Sequence, residues 1–136
     1  MAMNLKAGNL EEFNPLSQFS TLENFLHDIE GWLFDHKHDF SKGELVGMKW
    51  LVHFSSKVPG VCNLPIGTIL KAIHEDYYDH GISRSTFKKM LLKAKKLGII
   101  SVYETAKQNG SQSSNLYVFN RYPANETAKT NSNLKF

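Results

Sequence analysis

The sequence predicts a mainly helical α+β domain that closes on a small β-hairpin, and three observations carry that reading. Apolar residues recur at helical spacing in four separate stretches between Leu22 and Leu97. Two runs rich in Ile, Val, Tyr and Phe follow, Ile99 to Thr105 and Asn115 to Asn120, separated by a polar segment containing Asn109-Gly110. Charge is also segregated along the chain. Residues 1–40 hold two lysines against seven acids, residues 41–80 are balanced, and residues 81–122 hold eight bases against Glu104 alone. The overall charge of +3 conceals that gradient. With 136 residues and 41% hydrophobic content, the chain is long enough for one ordinary core.

The elements follow in order. Residues 1–19 are expected to be loosely ordered, with Pro15 breaking any helix. Ser20-Thr21-Leu22-Glu23 has capping-box spacing, and Leu22, Phe25, Leu26, Ile29, Trp32 and Leu33 form the apolar stripe of a helix over residues 20–39 that ends near His36. Ser41-Lys42-Gly43-Glu44 repeats the capping box and opens a second helix, with Leu45, Met48, Leu51 and Val52 on its inner face and Trp50 and Phe54 widening it. Pro59-Gly60 ends that element, and Val61-Cys62-Asn63 makes a very short strand. Pro65 suits a helix start, and Ile66, Ile69, Leu70, Ile73 and Tyr77 supply the third stripe. Ser83 caps the fourth helix, which stops at Gly98. The tail, residues 123–136, has little to bury.

Between Gly81 and Val102 lie six positive side chains and no acid: Arg84, Lys88, Lys89, Lys93, Lys95 and Lys96. At 100° per residue, Phe87, Met90, Leu91, Ala94 and Leu97 form the core arc. Ser85, Lys89, Leu92, Lys93 and Lys96 fall opposite, with Thr86 and Lys88 at the margins. A basic helix followed by a hairpin is the order of a winged helix-turn-helix, here assigned to residues 40–122. In that fold the helix enters a groove of duplex DNA and the hairpin touches the flanking backbone. Ser83, Arg84, Ser85, Thr86, Lys88 and Lys89 then form the amino-terminal reading end, and Lys93 and Lys96 meet phosphate. Lys107, Gln108, Asn109, Ser111 and Gln112 form the wing tip. The competing account is that lysines simply favour helix formation and keep the face soluble. Leu92 departs from both accounts: it touches a thymine methyl, packs on a partner, or lies under the hairpin.

The hairpin is apolar on both sides, because Leu116 and Val118 alternate with Tyr117 and Phe119. One face covers the helical core, and the other is expected to be covered by the amino-terminal helix or by a second subunit. Leu22, Phe25, Ile29, Trp32 and Leu33 therefore form either an intramolecular clasp or a dimer seam, and a homodimer is the expectation, since paired half-sites suit a two-fold protein.

Other chemistry finds little support. Asp35-His36-Lys37-His38-Asp39 offers metal-ligand types, but no second cluster completes a site, and a charged helix end accounts for it. Cys62 is the single cysteine, so no internal disulfide forms. Neither a phosphate-cradling glycine loop nor a pair of catalytic carboxylates is found, so neither an enzyme nor a cofactor is expected. No stretch has the length of a signal peptide or a membrane span, which predicts a cytoplasmic protein with no membrane partner.

The stretches FSKGELVGMKWLVHFSSKVPGVCNLPIGTILKAI, GISRSTFKKMLLKAKKLGIISVYET and NGSQSSNLYVFNRYP resemble a group of small helix-turn-helix proteins of Bacillus-type bacteria, their plasmids and prophages. The resemblance runs from about Phe40 to Pro123. It implies the winged-helix arrangement and a double-stranded DNA partner, as a small transcriptional regulator or as a replication or partition protein. A winged helix that binds protein is the alternative of another class.

Overall fold

The computed structural model describes residues 14–77, 81–106 and 112–123. Four helices, α1 (Leu22–His36), α2 (Lys42–Phe54), α3 (Ile66–Tyr77) and α4 (Arg84–Lys96), are combined with three short strands. Strand β1 (Val61–Cys62) lies between α2 and α3, and β2 (Ile100–Ala106) and β3 (Gln112–Phe119) follow α4. The sheet is antiparallel in the order β1-β3-β2, with Val61 opposite Val118, and Ile100 opposite Phe119.

Helix starts obey local chemistry. Ser41 caps α2 through a complete capping box: its hydroxyl accepts from the Glu44 N–H at 3.2 Å, and the Ser41 N–H donates to Glu44 Oε1 at 2.8 Å. The cap of α1 is Thr21, one residue later than the Ser20 spacing suggested, and its Oγ1 accepts from the Asn24 N–H at 3.0 Å. Ser20 instead accepts from the Asn24 side chain.

The core gathers all four helices on one face of the sheet. Phe25, Met48, Leu51, Ile69, Ile73, Phe87, Met90, Tyr117 and Phe119 are among its buried members. Helices α2 and α4 approach closely at Gly47, where a methyl group would sit 3.0 Å from the Phe87 ring and 3.1 Å from Ile82. The second face of the hairpin is covered within the chain, and not by the amino-terminal helix. Leu116 and Val118 pack on Val58 and Val61 in a separate small cluster, with Leu16 and Tyr103 beside it. The loop after α2 therefore folds back far enough to cover that face.

Residues 14–19 belong to this packing, contrary to the loose order expected of them. Phe19 is buried, with its ring 5.1 Å from Phe25, and Ser17 Oγ donates to the Pro59 carbonyl at 2.6 Å. Residues 1–13 and the tail beyond Pro123 lie outside the described residues.

Helix α1 is clasped to the segment after β3. Phe25 meets Phe119 edge-on at 5.1 Å, and the Trp32 indole N–H donates to the Asn120 carbonyl at 3.0 Å. Asp28, buried, accepts from Arg121 Nε at 2.7 Å and from the Tyr122 N–H at 3.0 Å. Tyr122 Oη donates to Asp35 Oδ2 at 2.6 Å. Burying side chains the size of Phe25, Ile29 and Trp32 stabilises by about 2–3 kcal/mol each, so α1 is part of the core. Of the expected stripe, Phe25, Ile29 and Trp32 are used within the chain, Leu33 is half-buried, and Leu22 and Leu26 face solvent.

Candidate nucleic-acid interface

Helix α4 begins where Ser83 accepts from the Thr86 N–H at 3.0 Å. It ends in a Schellman motif: the Gly98 N–H donates to Lys95 O at 3.2 Å and the Ile99 N–H to Ala94 O at 2.8 Å. Gly98 has φ of +85° and open space where a side chain would stand, so glycine is needed there for backbone conformation alone. That tight stop feeds the chain directly into β2, which fixes the hairpin beside α4.

The four side chains Phe87, Met90, Leu91 and Ala94 are buried, as their arc requires. Arg84, Ser85, Lys88, Lys89, Lys95 and Lys96 are exposed. Leu92, 56% exposed, stands at the middle of this arc. Arg84, Ser85, Lys88, Lys89 and Leu92 enclose a shallow depression on the outer face. A second hollow, between α4 and the sheet, is lined by Lys88, Leu92, Lys95, Val102 and Asn115 among others. This hollow joins the lysines of the helix to an uncharged surface of the hairpin.

Two residues expected on this surface are directed elsewhere. Lys93 turns toward α2, its ammonium 2.7 Å from Glu44 Oε1 and 3.0 Å from the Asp39 carbonyl oxygen. The cause is position on the helix: Lys93 lies near the Met90 side, where α2 packs. Burial by itself would raise the pKa of Glu44. Hydrogen bonds from Lys93 and from Ser41, with the lysine charge, outweigh it and hold the carboxyl below its ordinary value. Thr86 is half-buried, its hydroxyl 2.9 Å from Ser83 Oγ and its methyl beside Gly43 of α2. Ser83 itself is exposed but occupied as the cap.

Lys95, exposed beside Lys88 and Leu92, is the one α4 lysine that sequence reasoning did not assign to this surface. It borders Leu91 on the helical wheel, so arc assignment alone gave no reason to choose it. Its spacing of seven from Lys88 was the available signal, because such residues lie on nearly the same side. Of the expected wing tip, Lys107, Gln108, Asn109 and Ser111 lie outside the described residues, and Gln112 opens β3 opposite Ala106.

No protein family, curated protein or solved structure matches this chain.

His36 Nδ1 lies 3.0 Å from Asp39 Oδ2 at the end of α1, and among the described residues no three His, Cys, Asp or Glu side chains converge as a metal site would require. Cys62 is buried in β1, and burial pushes its thiol pKa up to about 12. Among the described residues no helix is long and apolar enough to cross a membrane.

Proposed function

We propose that this chain is a sequence-specific double-stranded DNA-binding protein of the winged helix-turn-helix type, acting as a small bacterial transcriptional regulator. One observation carries the reading. The outward arc of α4 exposes Arg84, Lys88, Lys89, Lys95 and Lys96 with no acid among them, around a centre formed by Ser85 and Leu92. A one-signed helix face of this kind suits a polyanion, since phosphate contacts supply most of the affinity of such proteins. The order α2, β1, α3, α4, β2, β3 and the adjacent hairpin support the winged-helix assignment, in which α3 and α4 form the helix-turn-helix. Ser85, Lys88 and Lys89, near the amino end of α4, are the base-reading group. Lys95 and Lys96 are phosphate contacts. Leu92 is placed to meet a thymine methyl, the apolar feature of the major groove.

Binding-site selection from random duplex DNA, followed by salt titration of the recovered site, tests the proposal. Lys89→Ala and Lys96→Ala should each lower the salt slope by about one unit. Ser85→Ala and Leu92→Ala should change the selected motif, with about 1–3 kcal/mol of discrimination lost for a base contact. If no duplex is enriched at any ionic strength, the face belongs to a protein partner and the proposal fails.

A further inference from the structure

Leu97, Gly98 and Ile99 alone join α4 to β2, so the angle of the hairpin to the basic helix is set within that link. Gly98 makes the turn with φ of +85°, and no heavy atom lies within 4 Å of where its side chain would stand. Ile99 and Ile100 are buried and anchor the start of β2. Apolar burial fixes where a strand begins but has no direction, so the strand's angle is left to hydrogen bonds. Further out, helix and sheet stand apart. A hollow of about 230 Å³ lies between Lys88, Leu92 and Lys95 of α4 and Val102 and Asn115 of the sheet.

Asn120, the first residue after β3, holds the link from the other side. Its N–H donates to the Ile99 carbonyl at 2.8 Å, and its Nδ2 donates to the Gly98 carbonyl at 3.0 Å. Both carbonyls of the turn thus end on one residue. Nδ2 also donates to Ser101 Oγ in β2 at 3.2 Å. The other polar groups of Asn120 face the amino-terminal part of the chain. Its Oδ1 accepts from Gln18 Nε2 at 2.8 Å, and its backbone carbonyl accepts from Trp32 Nε1 at 3.0 Å. Gln18 Oε1 in turn accepts from the Arg121 N–H at 3.0 Å. Asn120 therefore uses every polar group it has, and ties the end of α4, β2, α1 and Gln18 together.

We propose that Asn120 is the positioning residue of the DNA-binding surface: it locks the turn at Gly98, and with it the angle between α4 and the hairpin, braced by Gln18 and by Trp32 of α1. A side-chain amide suits the task because it donates on one edge and accepts on the other, which a carboxylate cannot do. Helix α1, which lies outside the winged-helix order, then has a part in DNA binding without touching DNA. The lock is a property of the fold, and its consequence for DNA rests on the DNA-binding reading above. A helix and a hairpin that grip one duplex must stand at the bound angle, and a chain at that angle for only a fraction of the time binds more weakly by that fraction.

Spin labels at Lys88→Cys and Glu104→Cys, both exposed and far from Gly98 on either side, report the angle in the DNA-free chain. Cys62→Ala removes the native thiol, and the same labelled chain with Asn120 intact is the reference. Asn120→Asp keeps the shape and the Oδ1 acceptor and loses only the Nδ2 donor. It should broaden the distance distribution and leave circular dichroism unchanged. Gln18→Ala, at an exposed position, should broaden it as well, and decides the matter if Asn120→Asp melts. In the unlabelled chain, Asn120→Asp should weaken binding to the duplex recovered by site selection by about tenfold and leave the selected motif unaltered, because α4 itself is intact. Distributions as narrow as the reference in both variants overturn the lock, and an unchanged one in Gln18→Ala alone removes the brace. A broadened distribution with undiminished DNA affinity overturns the role in binding. A wild-type chain that enriches no duplex sinks the DNA-binding reading instead, and the spin-label distances still decide the lock.

Discussion

Replacing Lys93 by alanine separates a structural lysine from a DNA-binding one. Its ammonium lies 2.7 Å from Glu44, whose side chain is 4% exposed, and it ties the start of α2 to the second half of α4. Removing one partner of a fully buried pair costs about 3–5 kcal/mol. Here the lysine side chain is 42% exposed and Ser41 still donates to the carboxylate, so screening and the remaining hydrogen bond reduce the loss. About 1–2 kcal/mol is expected, a fall in Tm of roughly 4–8 °C for a chain of this size. The pH dependence has a definite sign. In the wild-type chain the folded pKa of Glu44 is lowered, so its contribution is complete above the unfolded pKa and is lost as pH falls through the folded value. Without Lys93, burial acts against the charged carboxylate, and protonation relieves it. The stability gap between wild type and Lys93→Ala should therefore be widest at neutral pH and close as pH falls through and below the ordinary glutamate range. Thermal melts at several pH values measure it, with Lys89→Ala as the control that keeps wild-type Tm. A Lys93→Ala protein that melts like wild type but binds DNA weakly would refute this account and return Lys93 to the interface.

Two further outcomes follow from buried groups. Asp28→Ala should cost about 3–5 kcal/mol in urea denaturation, because it strips Arg121, whose side chain is 14% exposed, and the Tyr122 N–H of their shared acceptor; a loss below about 1 kcal/mol would mean the clasp is screened by solvent. Cys62, with its pKa pushed up to about 12 by burial, should resist alkylation at pH 8 in the native chain and react quickly once denaturant is added; rapid native modification would show that β1 opens readily.

The arc argument for α4 succeeded at Phe87, Met90, Leu91 and Ala94 because those positions lie well inside the apolar sector. It failed at Lys93 and Thr86, which sit at the sector's edge. There a helical wheel cannot tell whether the neighbour is water or another helix. Glu44 decided the matter for Lys93, and it lies 49 residues away in sequence. The same limitation hid Lys95, whose edge position opens toward the hairpin.

The sequence by itself determined the local elements, because caps, stops and periodicity act within a few residues: Ser41 with Glu44 opens α2, Ser83 opens α4, and Gly98 closes it. It also determined which helix is basic. Tertiary structure alone decided how the apolar surplus is shared. Leu116 and Val118 are covered by Val58 and Val61, and α1 spends Phe25, Ile29 and Trp32 on its own chain while leaving Phe34 in water. Hydrophobic attraction has no direction and no partner preference, so a stripe states that it must be buried, and only the assembled chain states against what.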